Sequence, residues 1–251
     1  MPAPISSAAP EPELAALAAR VTTCAACERL VAWREQAAGD RRGGHVGEAY
    51  WARPLAGWGD AHAKLVLVGL APAAHGGNRT GRMFTGDRSG DFLFAALWRS
   101  GLANQPTSVT ADDGLELYRA YVTAPVRCAP PDNRPSTEER DRCAPFFSEE
   151  LALLTEARVY LALGAYGYEA LWREPTIGKG LGKRPKFAHG LEVTLAPLAD
   201  GTARTLLCSY HPSQRNVFTG LLTPAMFDEV LQRAKELARL DEPGSAKRGL
   251  G

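Results

Sequence analysis

Short apolar runs that alternate with helical patterns constrain the fold of this chain more than any other feature. Buried strands are predicted to begin near residues 64, 121, 159 and 205, and a further strand is predicted over 192–195. Helical periodicity covers 13–34, 91–100, 137–154, 165–173 and 224–240, and a turn at the first cysteine pair interrupts the first of these segments. Strands that alternate with helices indicate an α/β fold, in which a parallel sheet carries helices on both faces.

The size and composition of the chain fit one globular domain. Its 251 residues are 45% hydrophobic and 23% charged, which is ordinary for a soluble protein. We expect a single domain over 13–240, flanked by disordered tails at 1–12 and 241–251. No long apolar run and no signal-peptide pattern occurs, so we expect a cytoplasmic protein without a membrane span. No coiled-coil pattern occurs either, and a monomer is expected.

One strand opens into a long loop of unusual composition. The run at 64–68 is followed by GLAPAAHGGNRTGRMFTGD at 69–87, and a helical pattern comes next. Parallel α/β sheets bind ligands at the carboxyl ends of their strands, where such a loop lies. The loop has no phosphate-binding signature, so a ligand other than a nucleoside triphosphate is expected. Within it, Phe84 either fills the core or stacks on a flat ligand, and Asp87 is either a helix N-cap or a functional carboxylate.

Four of the five cysteines form a candidate metal site. Cys24 and Cys27 form a C-x-x-C pair, and Cys128 and Cys143 follow far downstream. Four thiolates suit zinc or an iron–sulfur cluster, and the spacing does not choose between them. Buried or free cysteines are the alternative interpretation, because the second pair lacks a C-x-x-C signature. Cys208 lies inside a predicted strand and is expected to be a small core residue.

A histidine loop follows the last central strand. It begins His211-Pro-Ser-Gln-Arg-Asn216, and a histidine at a strand exit can donate a hydrogen bond to a developing anion. The alternative is a loop histidine that bonds only to nearby backbone. His75, beside two glycines of the earlier loop, is a weaker functional candidate.

The net charge of +1 does not by itself indicate a nucleic-acid partner. A neutral total can still hide a basic patch on one side of a protein. The segment 176–189 carries four cations, Lys179, Lys183, Arg184 and Lys186. It is solvated surface in one interpretation. If it lies at the same sheet edge as the histidine loop, it is instead able to meet phosphates.

Taken together, these motifs resemble the uracil-DNA glycosylase superfamily, most closely its family 5, the type B enzymes. The resemblance is carried by the loop at 69–87, by VRCAPPDNRP at 126–135 with Cys143, and by HPSQRNVFTGLLT at 211–223. Weaker support comes from the C-x-x-C pair and from YWARPLAGWGD at 50–60. The resemblance spans nearly the whole of 20–240.

The resemblance implies a fold, a cofactor and an activity. The fold would be a three-layer α/β/α sandwich around a central four-stranded parallel sheet. The four cysteines Cys24, Cys27, Cys128 and Cys143 would hold a structural 4Fe–4S cluster. The activity would be hydrolysis of the N-glycosidic bond of uracil and other deaminated bases, such as hypoxanthine, in DNA, which begins base excision repair. The partner would be DNA that contains such bases, and in a prokaryote the enzyme would be associated with the nucleoid.

The resemblance also implies roles for single residues in the pocket. Phe84 would stack on the extruded base, and His211 would hydrogen-bond the base carbonyl and stabilise the departing anion. The backbone from Gly69 through Ala71 to Ala74 would line the pocket. In the third motif, Ser213 and Arg215 are expected to bind substrate, with Arg215 as the wedge that fills the gap in the helix.

Two positions depart from relatives in other families of the superfamily. Ala71 stands where strict uracil enzymes carry a polar residue that activates water, which fits family 5. Ala124 stands where a uracil-reading asparagine often lies. The chain is therefore expected to use another amide, Asn78 or Asn133, or to read the base less strictly. Asn78 and Asp87 are the candidates for holding the attacking water.

Two other functions are compatible with the same motifs. A non-catalytic protein that binds damaged DNA and uses the cluster as a structural or redox element would bind tightly without releasing product. A zinc-stabilised nucleotide-binding enzyme is the other alternative. An assay for base release separates the first of these from a glycosylase.

Overall fold

The structure is a computed structural model that describes residues 12–39, 45 and 47–240. The predicted tails lie outside the described residues, except for Pro12, which is the first residue of a helix. Helices of the described ranges are α1 Pro12–Thr22, α2 Glu28–Gly39, α3 Gly77–Thr80, α4 Arg88–Arg99, α5 Thr137–Leu153, α6 Ala165–Arg173, α7 Gln214–Phe218 and α8 Pro224–Ala238. Strands are β1 Trp58–Gly59, β2 Leu65–Val68, β3 Ala120–Thr123, β4 Val159–Leu163, β5 Glu192–Leu195 and β6 Arg204–Ser209. A short 3-10 helix covers Pro131–Asn133.

The sheet confirms the predicted fold class and is wider than predicted. In the described ranges it has six strands in the order β1-β3-β2-β4-β6-β5. The four central strands are parallel, as predicted, while β1 and β5 add an antiparallel strand at each edge. The sheet is therefore mixed rather than four-stranded and purely parallel. The two residues of β1 are too few to show a strand pattern in the sequence, so β1 was missing from the prediction.

Alternating side chains of the central strands build two cores, one on each face of the sheet. Leu65 and Leu67 of β2 point into a core that α4 and α8 cover. Val66 and Val68 point to the opposite face, into a core covered by α1, α5 and α6. A strand buried on both faces is apolar at every position, which is why β2 is an uninterrupted apolar run. The result is the predicted three-layer arrangement.

The helix starts follow capping signals in the sequence. The Asp87 carboxylate accepts the Gly90 N–H at 3.0 Å and caps α4. Ser136 and Glu139 form a capping box at the start of α5, in which each side chain accepts the other's backbone N–H. Each cap satisfies helix N–H groups that have no partner within the helix. Within the described ranges, no helix combines the length and apolar character needed to cross a membrane.

Candidate active site

The loops that follow the parallel strands bring Phe84 and His211 together at the carboxyl edge of the sheet. Their rings stack with centroids 5.8 Å apart and an interplanar angle of 27°. Phe84 comes from the loop after β2 and His211 from the loop after β6. The contact confirms that these two loops converge, as expected for strand ends that share one edge of a parallel sheet.

Glycines behind the two rings make this arrangement possible. A Cβ added at Gly69 would lie 2.8 Å from Cε2 and Cζ of Phe84, and one added at Gly164 would lie 3.1 Å from Cβ of His211. Both values are shorter than ordinary contacts between carbon atoms, which begin near 3.5 Å. Gly164 also has a φ of +92°, which favours glycine. The two rings therefore lie directly against backbone at the ends of β2 and β4.

Phe84 itself occupies an unusual backbone conformation. Its φ is +55°, in the left-handed region that bulky residues seldom adopt. Its carbonyl oxygen lies so close to Gly90 that a Cβ there would be only 1.8 Å away. Such strain persists where the surroundings fix the conformation, and it is frequent at ligand-binding sites. The turn places the Phe84 ring against His211, at the border of the core that α4 and α8 cover.

The imidazole of His211 is kept neutral and ready to donate. Burial lowers its pKa from 6.5 to about 4, so the ring is uncharged near neutral pH. In the described part of the chain, no protein group hydrogen-bonds to its ring nitrogens. The amino end of α6 begins at Gly164, against His211, and adds the positive end of a helix dipole to the pocket.

Three residues that the sequence analysis did not single out hold His211 in place. Asn216 donates its amide N–H to the His211 carbonyl at 2.9 Å. His189 stacks on Tyr210 with centroids 5.1 Å apart, and its Nδ1 accepts the Tyr210 N–H at 3.2 Å. His189 precedes β5 and Tyr210 follows β6, so no local pattern in the sequence reveals their contact.

The polar residues of the loop at 69–87 mostly support its shape. Arg79 donates to the carbonyls of His75 and Gly86, at 2.9 Å each. Arg82 is buried, forms an ion pair with Asp113 at 2.8 Å and lies 4.6 Å from the ring centre of Trp58. These contacts explain why a loop so rich in cations need not bind a phosphate.

The two candidates for holding water lie in different surroundings. Asn78 is fully buried, and its Nδ2 donates to the carbonyls of Arg34 at 3.1 Å and Ala74 at 3.3 Å. Asp87 is partly exposed, caps α4 and lies against Gly76, where a Cβ would be 2.0 Å from its Oδ2. Burial raises the pKa of Asp87. Asn78 therefore lies next to α2, whereas Asp87 lies three residues after the strained turn at Phe84.

The other predicted binding residues spread along the same edge of the sheet. Ala71 packs against the apolar surround of the cysteines, and Ala74 is partly buried beside α3. Asn133 is exposed and has a φ of +54°. Ala124 is buried in the α4–α8 core, in keeping with an alanine at that position. No contact between Asn133 and the Phe84–His211 pair occurs among the described contacts.

The four predicted ligand cysteines surround one apolar cavity. Cys24 and Cys27 come from the α1–α2 connection, Cys128 from the loop after β3, and Cys143 from α5. Burial raises the pKa of the Cys128 thiol to about 12. In the described part of the chain, no three His, Cys, Asp or Glu side chains are close enough to hold a single metal ion.

Unpaired polar atoms cluster around these cysteines. Five buried side-chain polar atoms of the described residues lack a hydrogen-bond partner: Trp33 Nε1, Arg34 Nε, Asn78 Oδ1, Arg127 Nε and Tyr166 Oη. Arg34 and Arg127 line the cysteine cavity, and Tyr166 packs beside it. Arg34 also donates to Cys128 Sγ at 3.2 Å. Buried donors without partners call for an explanation, and an anionic group in the cavity would supply the missing acceptors.

Comparison with known proteins decides which family this arrangement belongs to. Residues 56–235 match the sequence model of the uracil DNA glycosylase superfamily. The chain belongs to the uracil-DNA glycosylase superfamily. It is 49% identical over 223 residues to a type-5 uracil-DNA glycosylase of Mycobacterium leprae, covering 88% of this chain and 94% of the relative. It is 51% identical over 220 residues to that of Thermus thermophilus, covering 88% and 96%. The Mycobacterium tuberculosis type-5 protein is 48% identical over 226 residues, covering 90% and 82%.

The third motif of this glycosylase-superfamily chain forms a short helix beside the pocket. Ser213 caps α7 by accepting the Asn216 N–H at 3.3 Å, and Arg215 is exposed on that helix. One turn further, Phe218 is 89% exposed. An aromatic residue in an apolar helix pattern normally indicates a core position, so the sequence pattern does not reveal this exposure. Apolar side chains exposed in this way are found where proteins insert a wedge between nucleic-acid bases.

Proposed function

We propose that this protein is a DNA glycosylase that hydrolyses the N-glycosidic bond of uracil, and of other deaminated bases such as hypoxanthine, in DNA. This reaction begins base excision repair. The Phe84–His211 pair carries the proposal, because it places a flat apolar face and an uncharged hydrogen-bond donor 5.8 Å apart between ring centres. The 46–51% identity to type-5 uracil-DNA glycosylases supports the same activity.

The proposed mechanism begins with extrusion of the nucleotide. An enzyme cannot reach a glycosidic bond inside the stack, and extrusion costs a few kcal/mol, less for a mismatched base. The extruded base then stacks on Phe84, which contributes about 1–3 kcal/mol. Because Phe84 is held by its backbone turn and by the absence of a side chain at Gly69, the face is preorganised and little ordering is needed on binding.

Cleavage leaves negative charge on the departing base. As the glycosidic bond lengthens, the sugar acquires oxocarbenium character and the base becomes an anion. A neutral His211 donates its N–H to the base oxygen where that charge grows, and the amino end of α6 lies behind it. Because this donor is already in place and uncharged before the reaction, it stabilises the growing negative charge and so lowers the barrier. Water then adds to the sugar.

Asp87 is the better of the two candidates for holding that water. Its carboxylate is partly exposed and its raised pKa makes it a stronger base, whereas Asn78 is fully buried, so its unpaired Oδ1 is closed off from solvent water. A dissociative reaction demands little of a base, so a residue that orients water is sufficient. Since Ala124 cannot read the base through an amide, and Asn133 is exposed, discrimination between bases is expected to be loose.

We infer that the four cysteines hold a 4Fe–4S cluster, as the resemblance implies. The lining fits this group: it has four thiols, an apolar wall, and unpaired N–H donors on Arg34 and Arg127 that suit an electron-rich sulfur cage. When bound, the cluster would supply a covalent cross-link between the α1–α2 connection, the loop after β3 and α5. The fold brings the four cysteines together, and helices α2 and α5 shield them from solvent.

Base release from defined oligonucleotides tests the proposed function. Duplexes that contain uracil or hypoxanthine would be incubated with the unaltered protein, with His211→Ala and with Phe84→Ala. We expect release by the unaltered protein and a large loss of rate in both variants. Tight binding without any release would support the damaged-DNA-binding alternative and overturn the glycosylase. Unchanged rates in both variants would overturn the site assignment alone.

A further inference from the structure

The second half of the basic segment 176–189 lies beside the amino end of α6, at the carboxyl edge of the sheet. Lys179, Lys183, Arg184 and Lys186 are all exposed. Among the described residues, none of the four forms an ion pair, in contrast to the arginines of the helices. Exposed cations without acidic partners are free to bind an anion.

Aromatic contacts join this segment to the loop that carries His211. Tyr168 of α6 donates its hydroxyl to the Pro185 carbonyl at 2.9 Å, and the Arg184 guanidinium lies 5.9 Å from the Tyr168 ring centre. Phe187 packs against Tyr168 at 5.9 Å and against Tyr210 at 6.2 Å, between ring centres. Tyr210 directly precedes His211. The segment is therefore packed onto the same residues that position the pocket histidine.

These contacts leave an open cleft beside the pocket. Lys183, Arg184 and Lys186 line it, together with Ala165 and Tyr168 at the amino end of α6. The one carboxylate on its wall, Glu169, pairs with Arg173 at 2.7 Å and so does not neutralise the cations. Ala165 follows Gly164, the glycine that supports His211. The cleft and the base pocket thus share the first turn of α6.

We propose that this basic cleft binds backbone phosphates of the DNA strand next to the extruded nucleotide. The inference rests on the proposed function, because it takes DNA as the substrate. A chain with a net charge of +1 gains little from its overall field, so local clusters of cations have to supply the attraction for a polyanion. The cleft is such a cluster, and it lies at the carboxyl edge of the sheet beside the pocket. Tyr168 and Phe187 pack beneath it and hold the cations in a fixed position relative to His211.

The salt dependence of binding tests the inference. The probe is a duplex with one 2′-fluorinated deoxyuridine, which resists cleavage, and its Kd is measured from about 50 to 200 mM NaCl. Each phosphate contact contributes about 0.9 to the slope of log K against log salt. We expect Lys183→Gln, Arg184→Gln and Lys186→Gln each to make the negative slope shallower by about that amount. The triple variant is expected to make it shallower by roughly the sum of the three changes.

Arg99→Gln is the matched control. Arg99 ends α4, which runs back from the carboxyl edge to the amino edge of the sheet, and it pairs with Asp228 at 2.7 Å. For Arg99→Gln, the slope of log K against log salt is expected to equal that of the unaltered protein. Circular dichroism shows whether the triple variant keeps the fold. If it does, and its slope of log K against log salt equals that of the unaltered protein, the proposal that the cleft binds phosphates is wrong. Failure of the proposed function would be a different result, namely no base release by the unaltered protein at low salt.

Discussion

At the residue scale, the pocket depends on side chains that are absent as much as on those present. Phe84 and His211 stack only because Gly69 and Gly164 leave the backbone bare behind them. Gly90 in turn makes room for the Phe84 carbonyl in its left-handed turn. The composition of the loop therefore has a steric explanation, and it can be tested without altering either ring.

Gly69→Ala is expected to impair catalysis while leaving the fold intact. The new methyl would lie 2.8 Å from the Phe84 ring, so the ring has to move out of the stack with His211. Loss of base stacking worth about 1–3 kcal/mol corresponds to a rate of base release that is roughly fivefold to 150-fold lower at subsaturating substrate. Gly39→Ala is the control, because nothing lies within 4 Å of a Cβ there. Equal rates for the two variants would contradict the proposed stacking role.

His211 should also make stability depend on pH. Its pKa is 6.5 when unfolded and about 4 in the folded protein, so the unfolded state binds more protons between these values. The contribution of His211 to stability is complete above pH 6.5 and is lost as the pH falls towards 4. The loss is at most about 1.4 kcal/mol per pH unit. Thermal unfolding of His211→Gln is expected to show a shallower decline across this window than the unaltered protein, and identical declines would contradict it.

The two stacked side chains of the pocket could be predicted from the sequence, whereas the residues that support them could not. Phe84 and His211 stand in distinctive motifs at strand exits. His189 and Asn216 act through contacts with the backbone of Tyr210 and His211. The His189 contact forms only when β5 pairs with β6, so it depends on tertiary structure and not on any local spacing.

At the scale of elements, long apolar runs and capping residues could be predicted, and very short elements could not. All four central strands and the capped starts of α4, α5 and α8 follow directly from apolar runs and Ser, Thr or Asp caps. The short helices α3 and α7 and the two-residue β1 were missing, because so few residues show no periodicity. Two of these elements lie in the loops that build the pocket, since α3 belongs to the loop that carries Phe84 and α7 follows His211 directly.

Helix α7 presents an exposed apolar side chain, which we expect to enter the gap that an extruded nucleotide leaves in the duplex. Phe218, 89% exposed, lies one turn from Arg215, the residue that the resemblance makes the wedge. An apolar wedge stabilises an unstacked base step, and this role exists only in a duplex. Phe218→Ala is therefore expected to slow release of uracil from duplex DNA severalfold and to leave release from single-stranded DNA nearly unchanged.

Two comparisons keep this prediction specific. Trp98→Ala removes another exposed aromatic residue, 49% exposed on α4, and should affect neither substrate. Arg215→Ala shows how the wedge role divides between the two residues of α7. An equal loss on single-stranded and duplex DNA for Phe218→Ala would show that it supports the pocket and does not act on the duplex.

At the scale of the whole molecule, the cysteine site joins parts of the chain that the sheet alone does not hold together. The four cysteines proposed as ligands come from the α1–α2 connection, the loop after β3 and α5. Arg29 of α2 and Glu139 of α5 add a double hydrogen bond at 2.7 and 2.6 Å across the same junction. The C-x-x-C pair indicated a metal site from the sequence, but its convergence with Cys128 and Cys143 depends on the packing of two helices from distant segments.

Paired cysteine variants test whether this junction holds a cluster. Cys128→Ala removes a proposed ligand, and Cys208→Ala removes a thiol of similar burial from a separate cluster, the core that α1, α5 and α6 cover. Both lose a buried sulfur, which costs about 1 kcal/mol. Cys128→Ala should in addition lose iron, inorganic sulfide and visible absorption, and its thermal midpoint should fall well below that of Cys208→Ala, because a cross-link between distant segments is gone. Purified Cys128→Ala with full iron content and a midpoint equal to that of Cys208→Ala would show that Cys128 is only a core residue.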